Sequence, residues 1–386
     1  MGAVRVVGAV AGLNGSGPRV LFVGPSAGAR GGIAQFNARL AETVATNAHV
    51  RAIGFERMYP SWTDAGRRQP AAAGHEAFLV PWRPRTWMRA ARELREFGPD
   101  LVVVQWWHPL FAPCLRHLII AARRNDAEVM MVCHNALPHE PFPLARAAAA
   151  RTMSAAGRLV ALSTAVAAQV RTLAPGARID VLAHPPNLAG HIDPMEVERW
   201  RARVGPVDGP MIVFFGNVRP YKGLSDLIEA MPAVCARSPA TLVVAGTFYE
   251  PVERFRLQAR RLGVESSIRL FPGYVPDDEV LALLSLADVV AMPYRTASQS
   301  GILPLVALAE RPVVATSVGG ITEAVGDRGV VVPPGDGAAL AQGLLRALAT
   351  PPLPPHGFRD GWSRWAALVV EAASDAGDRA YRKALR

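Results

Sequence analysis

The sequence predicts two doubly wound α/β domains in tandem, each a parallel sheet covered by helices. Three observations lead there. Apolar runs of four to eight residues, rich in Val, recur along the chain with helical patterns between them, as buried parallel strands do. One opening occurs twice: Arg19-Val20-Leu21-Phe22-Val23-Gly24 near the start, and Met211-Ile212-Val213-Phe214-Phe215-Gly216 at the head of the second half. The 386 residues, 50% hydrophobic and 19% charged, suffice for two or three domains with sizeable cores. That balance excludes a disordered or fibrous chain.

The elements follow in order. Residues 1–18 read as a loose tail. After the run at 19–24, strands are expected at 50–54, 101–105, 128–133 and 159–162. After 211–216 they are expected at 241–246, 268–271, 287–292, 312–316 and 329–332. Helical patterns fall at 33–45, 224–236 and 278–286. Pro185-Pro186, Gly205-Pro206 and Gly209-Pro210 punctuate the connection between halves. This sets the domains at 19–204 and 205–357. From 358 to 386, Trp362 and Trp365 sit in an apolar helical pattern that reads as a closing helix.

Lys+Arg total 42 against 32 Asp+Glu, a net charge of +10. Residues 1–200 carry 22 Arg against 14 acids, whereas residues 201–386 carry 18 Arg and two Lys against 18 acids. The basic first half suggests an anionic partner or surface there; heavy arginine use is the compositional alternative. Nucleic acid is not the expected partner, because no Lys-rich tail or reading module accompanies the charge. Cys114, Cys133 and Cys235 are odd in number and lack CxxC spacing, so a disulfide scaffold or zinc site is not expected and a reducing cytoplasm fits. No apolar run approaches the ~18–20 residues of a membrane span. The expectation is a cytoplasmic protein, at most peripheral at the inner face of the cell membrane. The segment 81–95, with Trp87, Arg85, Arg89, Arg92 and Arg95, fits an ordinary helix with Trp87, Ala91 and Leu94 in the core. It also fits a helix lying on an anionic bilayer, the less favoured reading.

Several familiar chemistries are missing. There is no GxxxxGK[ST] phosphate loop, residues 24–32 are not GxGxxG, and HExxH and GxSxG do not occur. What recurs is a design for anions. Gly31-Gly32 opens a helix, so backbone N–H groups face whatever binds there. Gly216-Asn217-Val218-Arg219-Pro220-Tyr221-Lys222-Gly223 sets two cations at the carboxyl end of a strand, and Lys222 is one of only two lysines. That pattern suits a diphosphate clamp. Ser298-Gln299-Ser300-Gly301 joins a strand to an apolar helix with small hydroxyl, amide and N–H groups. Gly319-Gly320, followed by Glu323, makes another strand-to-glycine turn. In the first half, His134 follows the strand at 128–133, with His139 and Glu140 just beyond. A histidine there lies at the ligand-binding edge of the sheet, and Glu140 is a candidate base for an attacking hydroxyl. Trp106-Trp107 could stack on a sugar, although core packing of at least one is preferred. His184, beside Pro185-Pro186, is a further cleft candidate.

In this order, these residues resemble the GT-B glycosyltransferases, specifically glycosyltransferase family 4. The resemblance spans about 19–370. It rests on Gly31-Gly32, on Gly216, Arg219 and Lys222-Gly223, and on Phe271-Pro272-Gly273-Tyr274-Val275. It also rests on Ala287-Asp288-Val289-Val290-Ala291-Met292-Pro293, and on Ala309, Pro312 through Thr316, Gly319-Gly320 and Glu323. It implies two Rossmann-like domains facing a central cleft, with the acceptor on the first and a nucleotide-diphosphate sugar, UDP- or GDP-linked, on the second. Arg219 and Lys222 match the pair that holds and stabilises the leaving diphosphate. Gly32 matches backbone approaching it from the first domain, Phe271 through Val275 the segment beside the base, and His134 a histidine at the sugar. Neither a metal nor another cofactor is implied, and the broader family implies a retaining route.

One departure is plain. The family shows two glutamates here, the second touching the donor ribose, and this chain has Ser298 and Val306. The sequence looks instead like a subgroup in which Ser300 and Gly301 take over phosphate contacts. Two rivals stand beside transfer to a glycan, lipid-linked or small-molecule hydroxyl. A nucleotide-sugar epimerase would use the same clamp but needs further acid/base residues. A non-catalytic carbohydrate- or nucleotide-binding protein has no reason to pair Arg219 with Lys222.

Overall fold

Val-rich strands buried on both faces organise the chain. A computed structural model describes residues 17–26, 29, 31–62, 77–138, 142–186, 192–349 and 361–384. The first sheet contains β1 (Arg19–Pro25), β2 (His49–Phe55), β3 (Ala77–Leu79), β4 (Leu101–Trp106), β5 (Glu128–Cys133), β6 (Arg158–Ala161) and β7 (Arg178–Val181). Its order is β3-β2-β1-β4-β5-β6-β7, every pair parallel. Around it run α1 (Gly32–Val44), α2 (Pro84–Phe97), α3 (Ala112–Arg124), α4 (Ala145–Met153) and α5 (Thr164–Leu173). Alternate residues of β1 serve opposite faces: Leu21 and Val23 join the layer of α2 to α5, and Val20 and Phe22 join that of α1.

The second sheet contains β8 (Met211–Phe215), β9 (Thr241–Gly246), β10 (Ile268–Pro272), β11 (Val289–Met292), β12 (Val313–Thr316) and β13 (Gly329–Val332). Its order is β10-β9-β8-β11-β12-β13, again all parallel. Its helices are α6 (Pro194–Val204), α7 (Leu224–Cys235), α8 (Val252–Arg261), α9 (Asp277–Ser285), α10 (Leu303–Leu308), α11 (Ile321–Val325) and α12 (Gly337–Leu348). Ile212 and Phe214 pack toward α7, α8 and α12, whereas Met211 and Val213 pack toward α6, α9, α10 and α11. The chain closes with α13 (Gly361–Ala384).

The tandem α/β expectation therefore holds, with a shifted boundary. The described residues up to Ala183 and those of α13 form one unit, and His184–Phe358 forms the other. The expected break after 204 moves because Trp200 and Val204 of α6 are buried with Met211 and Val213 in the second core. The closing helix returns to the first unit. Trp365 is fully buried, donates Nε1–H to the Ala183 carbonyl at 3.0 Å, and meets Phe36 edge-on at 5.1 Å.

In α2, Ala90, Ala91 and Leu94 are buried, and Trp87 donates its indole N–H to the Val80 carbonyl at 3.0 Å. The ordinary-helix reading of that segment is the one the packing supports. Among the described residues, no helix is long and apolar enough to cross a membrane.

In each sheet the chain winds outward from a central strand, then returns to the centre and winds the other way. The reversal lies between β1 and β4 in one and between β8 and β11 in the other. Just past the carboxyl ends of such strand pairs, neighbouring loops diverge and leave a crevice, where ligands of open α/β sheets bind.

Candidate active site

The crevice of the second sheet is lined by the loops after β8 and β11. Glycine makes it possible. Gly216 (φ 120°) follows β8 and Gly246 (φ 142°) ends β9, and a Cβ on Gly246 would stand 1.9 Å from the Gly216 carbonyl oxygen. Asn217 is exposed, and Val218 ties the loop down by donating its N–H to the Thr247 carbonyl at 2.8 Å. A single 3-10 turn, Pro220–Lys222, then leads to Gly223, which is left-handed (φ 71°) and caps α7. A Cβ on Gly223 would lie 1.9 Å from the Pro293 carbonyl oxygen, so the turn is seated directly on the end of β11. Gly223→Ala is expected to destabilise the protein by about 2 kcal/mol or more, because strain and clash coincide. Urea unfolding compared with Gly263→Ala, where the φ is also positive but the space is open, separates the two contributions.

The two cations of this loop rest on aromatic rings. The Arg219 guanidinium carbon lies 3.9 Å from the Tyr249 ring centroid. Lys222 Nζ lies 3.6 Å from the Tyr294 ring centroid and 5.6 Å from that of Tyr221. Burial lowers the Lys222 pKa from 10.5 to about 8, with Tyr221 opposing the shift. No carboxylate pairs with Lys222 among the described residues. A half-buried ammonium set over π-faces, with no carboxylate partner among the described residues, is a site prepared for an incoming anion.

Side chains that sequence reasoning missed fix this loop. Arg295 grips Asp226 with two hydrogen bonds, Nε to Oδ2 at 2.8 Å and a terminal nitrogen to Oδ1 at 2.5 Å. Its backbone N–H donates to the Tyr221 carbonyl at 2.8 Å. Asp226 is buried in the first turn of α7, so the pair joins the β11 loop to the helix beside Lys222. Tyr294, fully buried, reaches Ser300 Oγ with its hydroxyl at 3.4 Å, and Ser300 Oγ accepts the Ile302 N–H at 3.3 Å. Burial raises the Tyr294 pKa, so the phenol keeps its proton.

The Ser-Gln-Ser-Gly loop is held from below. Gly320 N–H donates to the Ser298 carbonyl at 2.9 Å, and a Cβ on Gly319 would meet the Ala297 carbonyl oxygen at 1.9 Å. Ser298 and Ser300 are buried, and Gln299 Oε1 is buried without a hydrogen-bond partner among the described residues. The His184 imidazole edge lies against Gly301, with Nε2 3.7 Å from where a Cβ would stand. Its Nδ1 is 2.6 Å from the Pro185 carbonyl oxygen, and burial lowers its pKa to about 4, against the pull of that bond.

Phe271 and Val275 do not join this cluster through their side chains. Val275 is buried in the core, and Phe271 packs against Trp200 at 5.6 Å and under the Arg203 guanidinium. Pro272, Gly273 and Tyr274 of that segment are exposed. Val306, where the family pattern has a glutamate, is buried on α10.

In the first unit, Gly31 (φ 118°) caps α1 and Gly32 begins it, with open space where a Gly31 Cβ would stand. Behind this turn runs a buried polar chain. His134 Nε2 lies 2.8 Å from Gln105 Oε1, Gln105 Nε2 donates to Asn37 Oδ1 at 3.0 Å, and Asn37 Nδ2 donates to the Pro25 carbonyl at 3.1 Å. With that donor order Nε2 of His134 carries the hydrogen, which sets its tautomer. His134 is thus buried and committed through Nε2 to Gln105 rather than open on both nitrogens. Gly24 is required beneath the chain, since a Cβ there would lie 2.7 Å from Gln105 Cγ. Asn135 Oδ1, next along, is buried and has no hydrogen-bond partner among the described residues. Glu140 and His139 lie outside the described residues. Trp106 and Trp107 are both buried, their indoles bonded to the Ala136 carbonyl and the Tyr59 hydroxyl.

Two family models match in tandem: Glycosyltransferase Family 4 over residues 30–188 and Glycosyl transferases group 1 over residues 209–350. Each takes in the crevice loops of one unit. The chain is assembled from these two glycosyltransferase domains. It is 32% identical to D-inositol 3-phosphate glycosyltransferase of Salinispora arenicola over 248 residues, 59% of this chain and 54% of that one. It is 36% identical to GDP-mannose-dependent alpha-(1-6)-phosphatidylinositol monomannoside mannosyltransferase of Mycolicibacterium smegmatis over 171 residues, 41% of this chain and 44% of that one. The chain thus spans about half the length of these curated relatives. Among solved structures, Anabaena Alr3699/HepE in complex with UDP superposes with a TM-score of 0.65 at 18% identity, over 95% of this chain and 100% of that one.

Proposed function

We propose that this glycosyltransferase moves a sugar from a nucleotide-diphosphate donor, UDP- or GDP-linked, to an acceptor hydroxyl. The observation that carries the reading is the Lys222 ammonium, half-buried over Tyr294 and without a carboxylate partner among the described residues, beside Arg219 at the reversal point of the second sheet. In the reaction the bond between the anomeric carbon and the β-phosphate oxygen breaks, and negative charge collects on the departing diphosphate. The acceptor oxygen bonds to the anomeric carbon, and on a retaining route its proton passes to the leaving phosphate oxygen. Arg219, Lys222 and the N–H groups at Ser300-Gly301 stabilise the charge as it develops, which lowers the barrier most where water is excluded. The stabilising charge is supplied by protein cations, without a metal. Gln299 and Asn135, each with a buried unpartnered oxygen, accept hydroxyls of the donor and acceptor. In the first unit, Gly31 and Gly32 offer N–H groups at the start of α1 to an anion.

The names of the relatives support this reading, one a GDP-mannose-dependent enzyme acting on a phosphatidylinositol mannoside and one a structure holding UDP. The basic first half suits a phosphorylated or lipid-linked acceptor, with peripheral contact at an anionic membrane in the lipid case. A thermal-shift panel of UDP-, GDP-, ADP- and TDP-sugars tests the donor half. One nucleotide class at a hundred times Kd raises stability by about 2.7 kcal/mol. Silence from all four contradicts the reading.

A further inference from the structure

We infer that Tyr294 is a positioning residue that joins the two anion loops, seating the Lys222 ammonium on its ring face and holding Ser300 with its hydroxyl. The functional half of this inference rests on the diphosphate reading above; the structural half does not. Two contacts converge on this side chain and a third on its backbone. Lys222 Nζ stands 3.6 Å over the ring, Ser300 Oγ lies 3.4 Å from the hydroxyl, and the Tyr294 carbonyl accepts the Thr316 hydroxyl. The residues on either side are also tied to the Lys222 loop: Gly223 rests on the Pro293 carbonyl, and Arg295 bonds Tyr221 and Asp226. Tyr294 is 1% exposed, so it does not itself face a ligand.

The arrangement has a physical rationale. An ammonium paired with a carboxylate would meet an incoming phosphate already neutralised. A ring face holds the same cation in place by its quadrupole while leaving its full charge to the ligand. Because one rigid ring also anchors Ser300, a shift of the lysine seat shifts the neighbouring hydroxyl with it.

The chain itself supplies a probe, since Lys222 and Lys383 are its only lysines. In full-length protein labelled with 13C at lysine Cε, Lys222→Met identifies the Lys222 signal. That signal is expected upfield of its ordinary position in the wild type and in Tyr294→Phe, and at the ordinary position in Tyr294→Leu. An unshifted wild-type signal overturns the seat, and needs no variant of Tyr294 to be folded. For function, UDP and GDP are titrated through a double-mutant cycle. Tyr294→Leu is expected to weaken nucleotide binding about tenfold with Lys222 present and less than about twofold in Lys222→Met. An equal loss in both backgrounds marks Tyr294 as packing alone and overturns the positioning role. A shifted Lys222 signal that neither nucleotide moves supports the seat and refutes the diphosphate reading instead.

Discussion

Lys222→Met is expected to lower release of nucleoside diphosphate from the matching sugar nucleotide by about 10²–10³-fold, the usual loss when one preorganised charge donor is removed from a developing anion. The loss should not come from unfolding. Burial already disfavours the charged lysine, with its pKa lowered from 10.5 to about 8, so the folded state binds fewer protons than the unfolded state between those values. Stability of the free protein therefore rises with pH through that window, and removing the ammonium relieves a cost below it. Ligand affinity runs the opposite way. A diphosphate prefers the protonated lysine, so binding is full below about pH 7 and falls as the pH passes 8. The pH profile of Kd in wild type, flattened in Lys222→Met, checks both signs.

The second large effect belongs to Arg295 and Asp226. Arg295→Leu strands the buried Asp226 carboxylate and is expected to cost about 2 kcal/mol in urea unfolding. That is less than the roughly 3–5 kcal/mol of a fully buried pair, because the guanidinium is half exposed. Asp226→Asn leaves an arginine that water can solvate, and should cost about 1 kcal/mol. The ordering is the informative part. Both variants should also weaken nucleotide binding, since the pair anchors the first turn of α7 beside Lys222. A larger cost for Asp226→Asn would place the burden on the arginine instead.

How much of this was legible in the sequence depends on where each signal resides. β5, β9 and β13 have the expected bounds, since their residues declare themselves by local hydrophobicity. β3 and β7 were not expected. They are edge strands of three and four residues, and β7 reads Arg178-Ile179-Asp180-Val181 with its side chains partly exposed. Their place in the sheet comes from a neighbour's backbone and, for β7, from the Arg158–Asp180 ion pair at 2.5 Å.

The site divides along the same line. Arg219 and Lys222 were legible because a rare lysine sits at a strand end after glycine. Asp226 and Arg295 were not, because they meet only in three dimensions, 69 residues apart. Tyr294 showed a local signal, an aromatic directly after a strand and before the Ser-Gln-Ser-Gly loop, but its two-sided contact needed the fold. Phe271 and Val275 were placed beside the nucleobase on resemblance alone; the turn after β10 sends Val275 into the core, and Phe271 lies half-buried against it.

The central claim is that the second unit recognises the β-phosphate through Lys222 and Arg219. Calorimetric titration of wild type with the nucleoside diphosphate and monophosphate of the same base tests it most directly. The diphosphate is expected to bind at least about tenfold tighter, a charge-assisted contact's worth, and Lys222→Met to remove most of the difference. Equal affinity for the two nucleotides in wild type would contradict it.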